Sequence, residues 1–240
     1  MVVNRWLAPS IPPSIIIDQF GFRKTGGTTC ALTYLLHHVT FMLERCSYVR
    51  CLMIDFNIAF DLVDHPILLG KLESLGLPDR ANNNWIISYL TGRTQVVKCD
   101  GSVSSTVEIN TSIIHRSRIG PMLYVVMESD LCTVSTMNVI VKYADDTNLC
   151  HLTLTLILSW AMENRMVVNI LKTKEVVFRR PNPRLDVCPV ALVALVGVKQ
   201  VVSAKLLGIV LSQTLRFDIH VNGILKLCSQ RILSIKITPR

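Results

Sequence analysis

Two apolar segments, each carrying carboxylates at its end, constrain this chain more than any other feature. The first runs from Tyr48 to Ile54 and ends on Asp55. The second, Met137 to Tyr143, is followed by Ala144-Asp145-Asp146 and another β-rich run from Thr147 to Leu152. Short apolar runs bounded by turn residues predict buried strands, and the pattern around Asp145 predicts a hairpin. An ionised carboxylate beside a hydrophobic sheet is costly unless something pairs with it. Lys142 is the nearest cation in sequence, and the pleat alone does not decide whether it faces the carboxylates. The alternative partner is a divalent metal. Hard oxygen ligands suit Mg²⁺, which keeps several waters and takes one or two carboxylates plus substrate phosphates. Two such ions about 4 Å apart serve an in-line phosphoryl displacement when carboxylates from separate strands converge. Adjacent residues of a regular strand point to opposite faces, so Asp145 is expected to make the main metal contact and Asp146 a weaker one.

The remaining pattern mixes helices with hairpins. Leu32, Leu35, Leu36, Val39, Met42 and Leu43 recur at helical spacing, with Thr28 or Thr29 as the expected cap. Helices are expected near 66–75 and 83–91, from Gly120 to about 134, over 154–168 and over 217–235. Strands are expected at 95–99 and 103–109, joined through Asp100-Gly101, which suits a type I′ turn. Further strands are expected at 176–178, 190–202 and 206–211, while residues 1–18, with three prolines, predict an irregular lead-in. This order predicts an α+β fold rather than a doubly wound parallel sheet.

Half of the 240 residues are hydrophobic and the mean hydropathy is +0.42, which raises the question of a membrane. The apolar run from Val187 to Val198 contains Pro189 and falls short of the ~20 residues a spanning helix needs, so it predicts buried strand or core and no membrane partner. Arg5, Pro9, Pro12 and Pro13 interrupt any secretory leader, so an intracellular protein is expected. The eight cysteines form no C-x-x-C pair and no zinc-finger spacing with histidine; they are expected to be small core residues in a reducing compartment. The net charge of +8 is uneven. Arg165, Lys172, Lys174, Arg179, Arg180 and Arg184 face only Glu175 within 165–184. Arg216, Lys226, Arg231, Lys236 and Arg240 face only Asp218 after position 215. Such one-sidedness points to a polyanion such as nucleic acid, with a solvated basic face as the competing explanation.

Asp-Asp alone is usually just a polar turn, but the strings around it are more specific. KYADDTNL (142–149) resembles the catalytic hairpin of reverse transcriptases, and MIDFNIAFDLVDH (53–65) resembles the first carboxylate motif of non-LTR (LINE-type, jockey-like) retrotransposon enzymes. QFGFRKTGGTTCAL (19–32), WIISYLTGRTQVVKCDGSVS (85–104), GPMLYVVMESDL (120–131), the Asn164, Asn169, Lys172, Thr173 spacing and LLG (206–208) are similar to blocks of the same family in the same order. HVNGILKLCSQRIL (220–233) resembles the start of its thumb. The resemblance implies a right-hand polymerase palm with an antiparallel sheet: partial fingers and palm over 19–211 and the start of a thumb over 212–240. It implies an RNA-directed DNA polymerase that joins dNTPs to a DNA primer on an RNA template, using two Mg²⁺ ions or Mn²⁺. By matching positions it makes Asp55, Asp145 and Asp146 the catalytic metal carboxylates, Phe60 a sensor of the sugar 2′ position, and Lys172 a lysine near the leaving pyrophosphate. Arg23 and Lys24 would meet triphosphate or template, and the basic C-terminal third would lie along template–primer phosphates, giving salt-sensitive affinity.

The chain also departs from the family pattern. Ile114-His115-Arg116-Ser117-Arg118-Ile119 stands where the family usually reads P-Q-G-S-x-L before Gly-Pro. An arginine forced into a left-handed backbone there would cost roughly 1–2 kcal/mol. Ile58 occupies a position where lysine or a small polar residue is common, the stretch from Leu149 to Trp160 is short, residues 1–18 show no likeness, and nothing resembles an endonuclease. These departures imply a partial or degenerate copy and keep open a second reading, a catalytically inactive remnant that only binds nucleic acid.

Overall fold

The computed structural model describes residues 7, 9–23, 25–76, 80–114, 117–133, 138–150, 154–180 and 195–237. In chain order its helices are α1 (Thr28–Arg45), α2 (His65–Ser74), α3 (Arg80–Leu90), α4 (Gly120–Met127), α5 (Leu154–Glu163) and α6 (Asp218–Ile237). Its strands are β1 (Tyr48–Ile54), β2 (Arg93–Gln95), β3 (Lys98–Cys99), β4 (Ser102–Val103), β5 (Val107–Ile109), β6 (Val139–Tyr143), β7 (Asp146–Cys150), β8 (Lys174–Arg179), β9 (Lys199–Val201), β10 (Ser203–Leu206) and β11 (Ile209–Ser212).

Five strands form the central sheet in the order β6-β7-β1-β8-β9. Its pairs are antiparallel except β8 with β9, which run parallel. The pleat sends alternate residues to two separate cores. Leu52, Ile54, Ile140 and Leu149 face one that also takes in Leu68, Leu123, Met127, Ile157 and Trp160 from α2, α4 and α5. Val49, Cys51, Val141, Cys150, Val176 and Phe178 face the other, against Leu32, Leu35, Val39 and Met42 of α1. A mixed α+β architecture around an antiparallel palm-type sheet is therefore what the pattern of apolar runs builds.

Several boundaries differ from expectation for identifiable reasons. Helix α1 begins at Thr28 with extended Gly27 as its cap residue and no side-chain cap bond; its buried stripe, rather than capping, holds it in place. Helix α4 stops at Met127 instead of near 134. The Nζ of Lys142 takes the carbonyls of Glu128 (3.0 Å) and Leu131 (2.6 Å), so a buried cation satisfies carbonyls just beyond the helix end. Helix α5 stops at Glu163 because Arg165 turns left-handed (φ +55°) and Met166 N–H reaches back to the carbonyl of Ala161, a Schellman ending in which glycine is usual. The single hairpin expected over 95–109 is two short ladders, β3 with β4 and β2 with β5. Its turn is as expected, with Asp100 at φ +46° and Gly101 at φ +81°. The strand expected over 206–211 is instead the hairpin β10–β11, turning at Leu207-Gly208. Most of the strand expected over 190–202 lies outside the described residues.

The lead-in is more than an irregular tail. Leu7 and Ile11 are buried in the first core, and Asp18 and Phe20 hydrogen-bond along β6. Cys51 and Cys150 are core residues as expected, but Cys30, Cys99, Cys132 and Cys228 are exposed, and Cys188 lies outside the described residues. Among the described residues no helix is long and apolar enough to cross a membrane.

Candidate active site

The two carboxylate segments meet at one end of the sheet. Ile54 pairs with Thr147 across β1 and β7, so the next residues outward on the two chains are Asp55 and Asp146. Tyr143 pairs with Asp146, leaving Ala144 and Asp145 as a two-residue loop. Ala144 has φ +57°, a conformation for which hairpins normally use glycine. Asp145 and Asp146 are exposed and Asp55 is partly so.

Their charges act on one another. Partial burial, then Asp145, then Asp55, push the Asp146 carboxyl above its ordinary range. Among the described residues no group of three or more His, Cys, Asp or Glu is already gathered as a metal cage. Converging like charges with hard oxygen donors nevertheless fit a cation such as Mg²⁺, which needs only one or two carboxylates and completes its shell with water and phosphate.

Lys142 is not the counter-ion. Its side chain is buried, and its Nζ meets Asp18 at 3.2 Å besides the two carbonyls. Glu128, wholly buried, accepts from the Tyr124 hydroxyl at 2.9 Å through Oε1, and its Oε2 has no hydrogen-bond partner. Burial above all lifts its carboxyl to about 8; Asp145 and Asp18 add to this, while Lys142 and Tyr124 oppose it.

The other expected residues separate. Phe60 sits over α4, its ring stacked on Tyr124 at 4.6 Å and 16°, below the loop that begins at Asp55. Lys172 is exposed in a turn fastened to that same residue: Asn169 N–H donates to the Asp55 carbonyl at 2.7 Å, and Asp55 N–H donates to Thr173 Oγ1 at 3.3 Å. Arg23 lies against the lead-in. Its Nη1 is engaged by the carbonyls of Ile16 (3.0 Å), Gln19 (3.2 Å) and Ile17 (3.5 Å), so it braces the lead-in. Lys24, His115 and Arg116 lie outside the described residues. The basic stretch is also partly committed to the fold: Arg165 pairs with buried Asp64 at 2.7 Å, and Arg180 donates to the Leu43 carbonyl at 2.6 Å. Sequence reasoning missed Gln19, Asp18 and Glu128; the only sign of Glu128 was a lone acid directly after the apolar run of α4.

Residues 2–211 match the family described as reverse transcriptase (RNA-dependent DNA polymerase). The chain belongs to the reverse transcriptase family. The match begins at residue 2, so it takes in the lead-in, in which the sequence alone had shown no likeness. Among curated relatives, this reverse transcriptase is 28% identical over 245 residues to the RNA-directed DNA polymerase from mobile element jockey of Drosophila funebris, covering 93% of the chain and 26% of that protein. It is also 28% identical to the jockey enzyme of Drosophila melanogaster, covering 100% of the chain and 28% of the relative. The probable RNA-directed DNA polymerase from transposon BS of the same fly is 27% identical, with 91% and 26% covered. These relatives are enzymes of mobile elements, and the chain spans about a quarter of their length. Among solved structures, telomerase from Candida tropicalis with a TWJ fragment of telomeric RNA superposes with a TM-score of 0.63 at 11% identity, over 90% of this chain and 36% of that one. The apo form truncated from its C-terminal domain gives 0.61, over 90% and 43%. At such identity the likeness is one of fold.

Proposed function

We propose that this chain is the polymerising portion of a retrotransposon enzyme, extending a DNA primer with dNTPs on an RNA template. The observation that carries the reading is the convergence of Asp55 with Asp145 and Asp146 at one end of the palm sheet, in a member of a family that uses divalent metal ions. Asp55 and Asp145 would hold the cations, with Asp146 contributing less. When bound, two divalent ions supply activation of the primer hydroxyl and stabilisation of the departing oxygen. Phe60 would stand where the incoming sugar's 2′ position arrives. Lys172, held beside Asp55 by its turn, would place an ammonium near the leaving pyrophosphate. Residues 19–211 would supply partial fingers and palm. Those from 212 would begin the thumb, where exposed Arg216, Lys226 and Arg231 would follow the duplex backbone and make affinity fall with salt.

Primer extension on an RNA template, with Asp145→Asn as control, tests the reading. Mg²⁺-dependent incorporation abolished by the substitution is the expected result. No incorporation together with salt-sensitive binding to a primed template would mean that the chain is a nucleic-acid-binding remnant, as the unusual loop ending in Arg118 and Ile119 would then explain.

A further inference from the structure

The catalytic-type hairpin does not hold its own turn. Ala144 is an L-residue at φ +57°, which in isolation is unfavourable, and such a conformation persists only where surrounding contacts over-determine it. Those contacts come from residues 18–21, far away in sequence. Lys142 N–H donates to the Asp18 carbonyl and Phe20 N–H to the Lys142 carbonyl, each at 2.8 Å, and Gln19 forms a parallel bridge with Lys142.

Gln19 then does what no backbone group could. Its side chain is buried and its amide closes on both polar groups of Ala144. Oε1 accepts from Ala144 N–H at 3.1 Å and from Gly21 N–H at 2.8 Å, while Nε2 donates to the Ala144 carbonyl at 3.4 Å. Gly21 lets this strap lie flat on the turn: a Cβ there would stand 2.5 Å from Ala144 N. The peptide so clamped leads directly into Asp145, so any freedom at Ala144 becomes displacement of that carboxylate.

We propose that Gln19 is a positioning residue which, with Gly21 closing the approach, fixes the Ala144 turn and thereby aims Asp145 at its cation. This rests on the polymerase reading of the hairpin. Supporting groups of this kind typically change metal affinity by 10- to 100-fold when removed.

The test titrates Mn²⁺ alone into the full chain by electron paramagnetic resonance, with wild type, Asp145→Asn, Gln19→Met and Gly21→Ala, each checked for folding by circular dichroism. Gln19→Met keeps length and burial but removes the clasp; Gly21→Ala keeps the Gln19 amide and forces the strap off the turn. The expected result is Mn²⁺ affinity about tenfold weaker in both folded variants, with kcat for primer extension falling while KM for dNTP holds. Wild type that binds no Mn²⁺, or binds it unchanged by Asp145→Asn, would overturn the polymerase reading itself. Binding lost in Asp145→Asn but equal to wild type in the two strap variants would overturn only the role of Gln19. So would loss of fold in both variants, since the strap would then be building the sheet rather than aiming a carboxylate.

Discussion

Asn169 donates its backbone N–H to the carbonyl of Asp55 at 2.7 Å, and its side-chain Oδ1 accepts from Lys172 N–H at 3.2 Å. One residue therefore ties the first carboxylate to the turn that carries the lysine. Lys172 itself is exposed and adds nothing to the core. Lys172→Ala is expected to leave the melting temperature within error and to lower kcat for primer extension by roughly 10²-fold, the usual scale for a positioned acid. Unchanged turnover with an unchanged pH profile would remove Lys172 from the site.

The stack of Phe60 on Tyr124 gives the second prediction. A ring held nearly parallel to its neighbour cannot swing away when a bulkier sugar arrives. Phe60→Ala is expected to raise ribonucleotide use relative to dNTP by roughly 10- to 100-fold, the range open to a steric pocket, read as the ratio of kcat/KM for GTP and dGTP. A ratio equal to wild type would reduce Phe60 to packing against the first core.

Ile58 stands three residues past Asp55 with φ +39° and its side chain 59% exposed. A β-branched residue is a poor occupant of left-handed backbone, and this one buries little in return. Ile58→Asn, which tolerates that region, is expected to raise stability by about 1 kcal/mol, measured as a shift of the urea midpoint at unchanged slope. A lower midpoint would mean that the Ile58 side chain contributes more than its backbone costs.

The legibility of this molecule in its sequence follows how local each signal is. The strands β1, β6 and β7 were readable as short apolar or β-rich runs and helix α1 as a helical repeat, while Asp55 and Asp145 stood out beside such runs and took their expected role from the resemblance. The direction of Lys142 was not readable, since it depends on carbonyls of Glu128 and Leu131 brought up by α4. The end of α4 was overrun for the same reason, since it stops on a distant lysine, whereas α5 was overrun because an arginine stands in a glycine's place. Arg23 took its expected role from the resemblance, and the carbonyls of Ile16, Ile17 and Gln19 that engage its Nη1 are not visible in the sequence.

Glu128 carries the last prediction. It is buried among Tyr124, Lys142, Asp145 and Asp18, and its carboxyl is raised from 4.5 to about 8, chiefly by burial. A carboxyl whose folded value lies above its unfolded one keeps a proton that the unfolded chain releases. Its contribution to stability is fully present below pH 4.5 and is lost as pH climbs towards about 8. Within that window the loss approaches about 1.4 kcal/mol per pH unit, set against the gains of groups that titrate the other way. Glu128→Gln keeps the acceptor for Tyr124 and removes the proton, so its denaturation midpoints at pH 5, 6.5 and 8 are expected to fall less steeply than those of wild type, with the gap widest at pH 8. Parallel profiles for the two chains would mean that Lys142, whose Nζ lies on the Glu128 carbonyl at 3.0 Å, keeps the carboxylate ionised throughout.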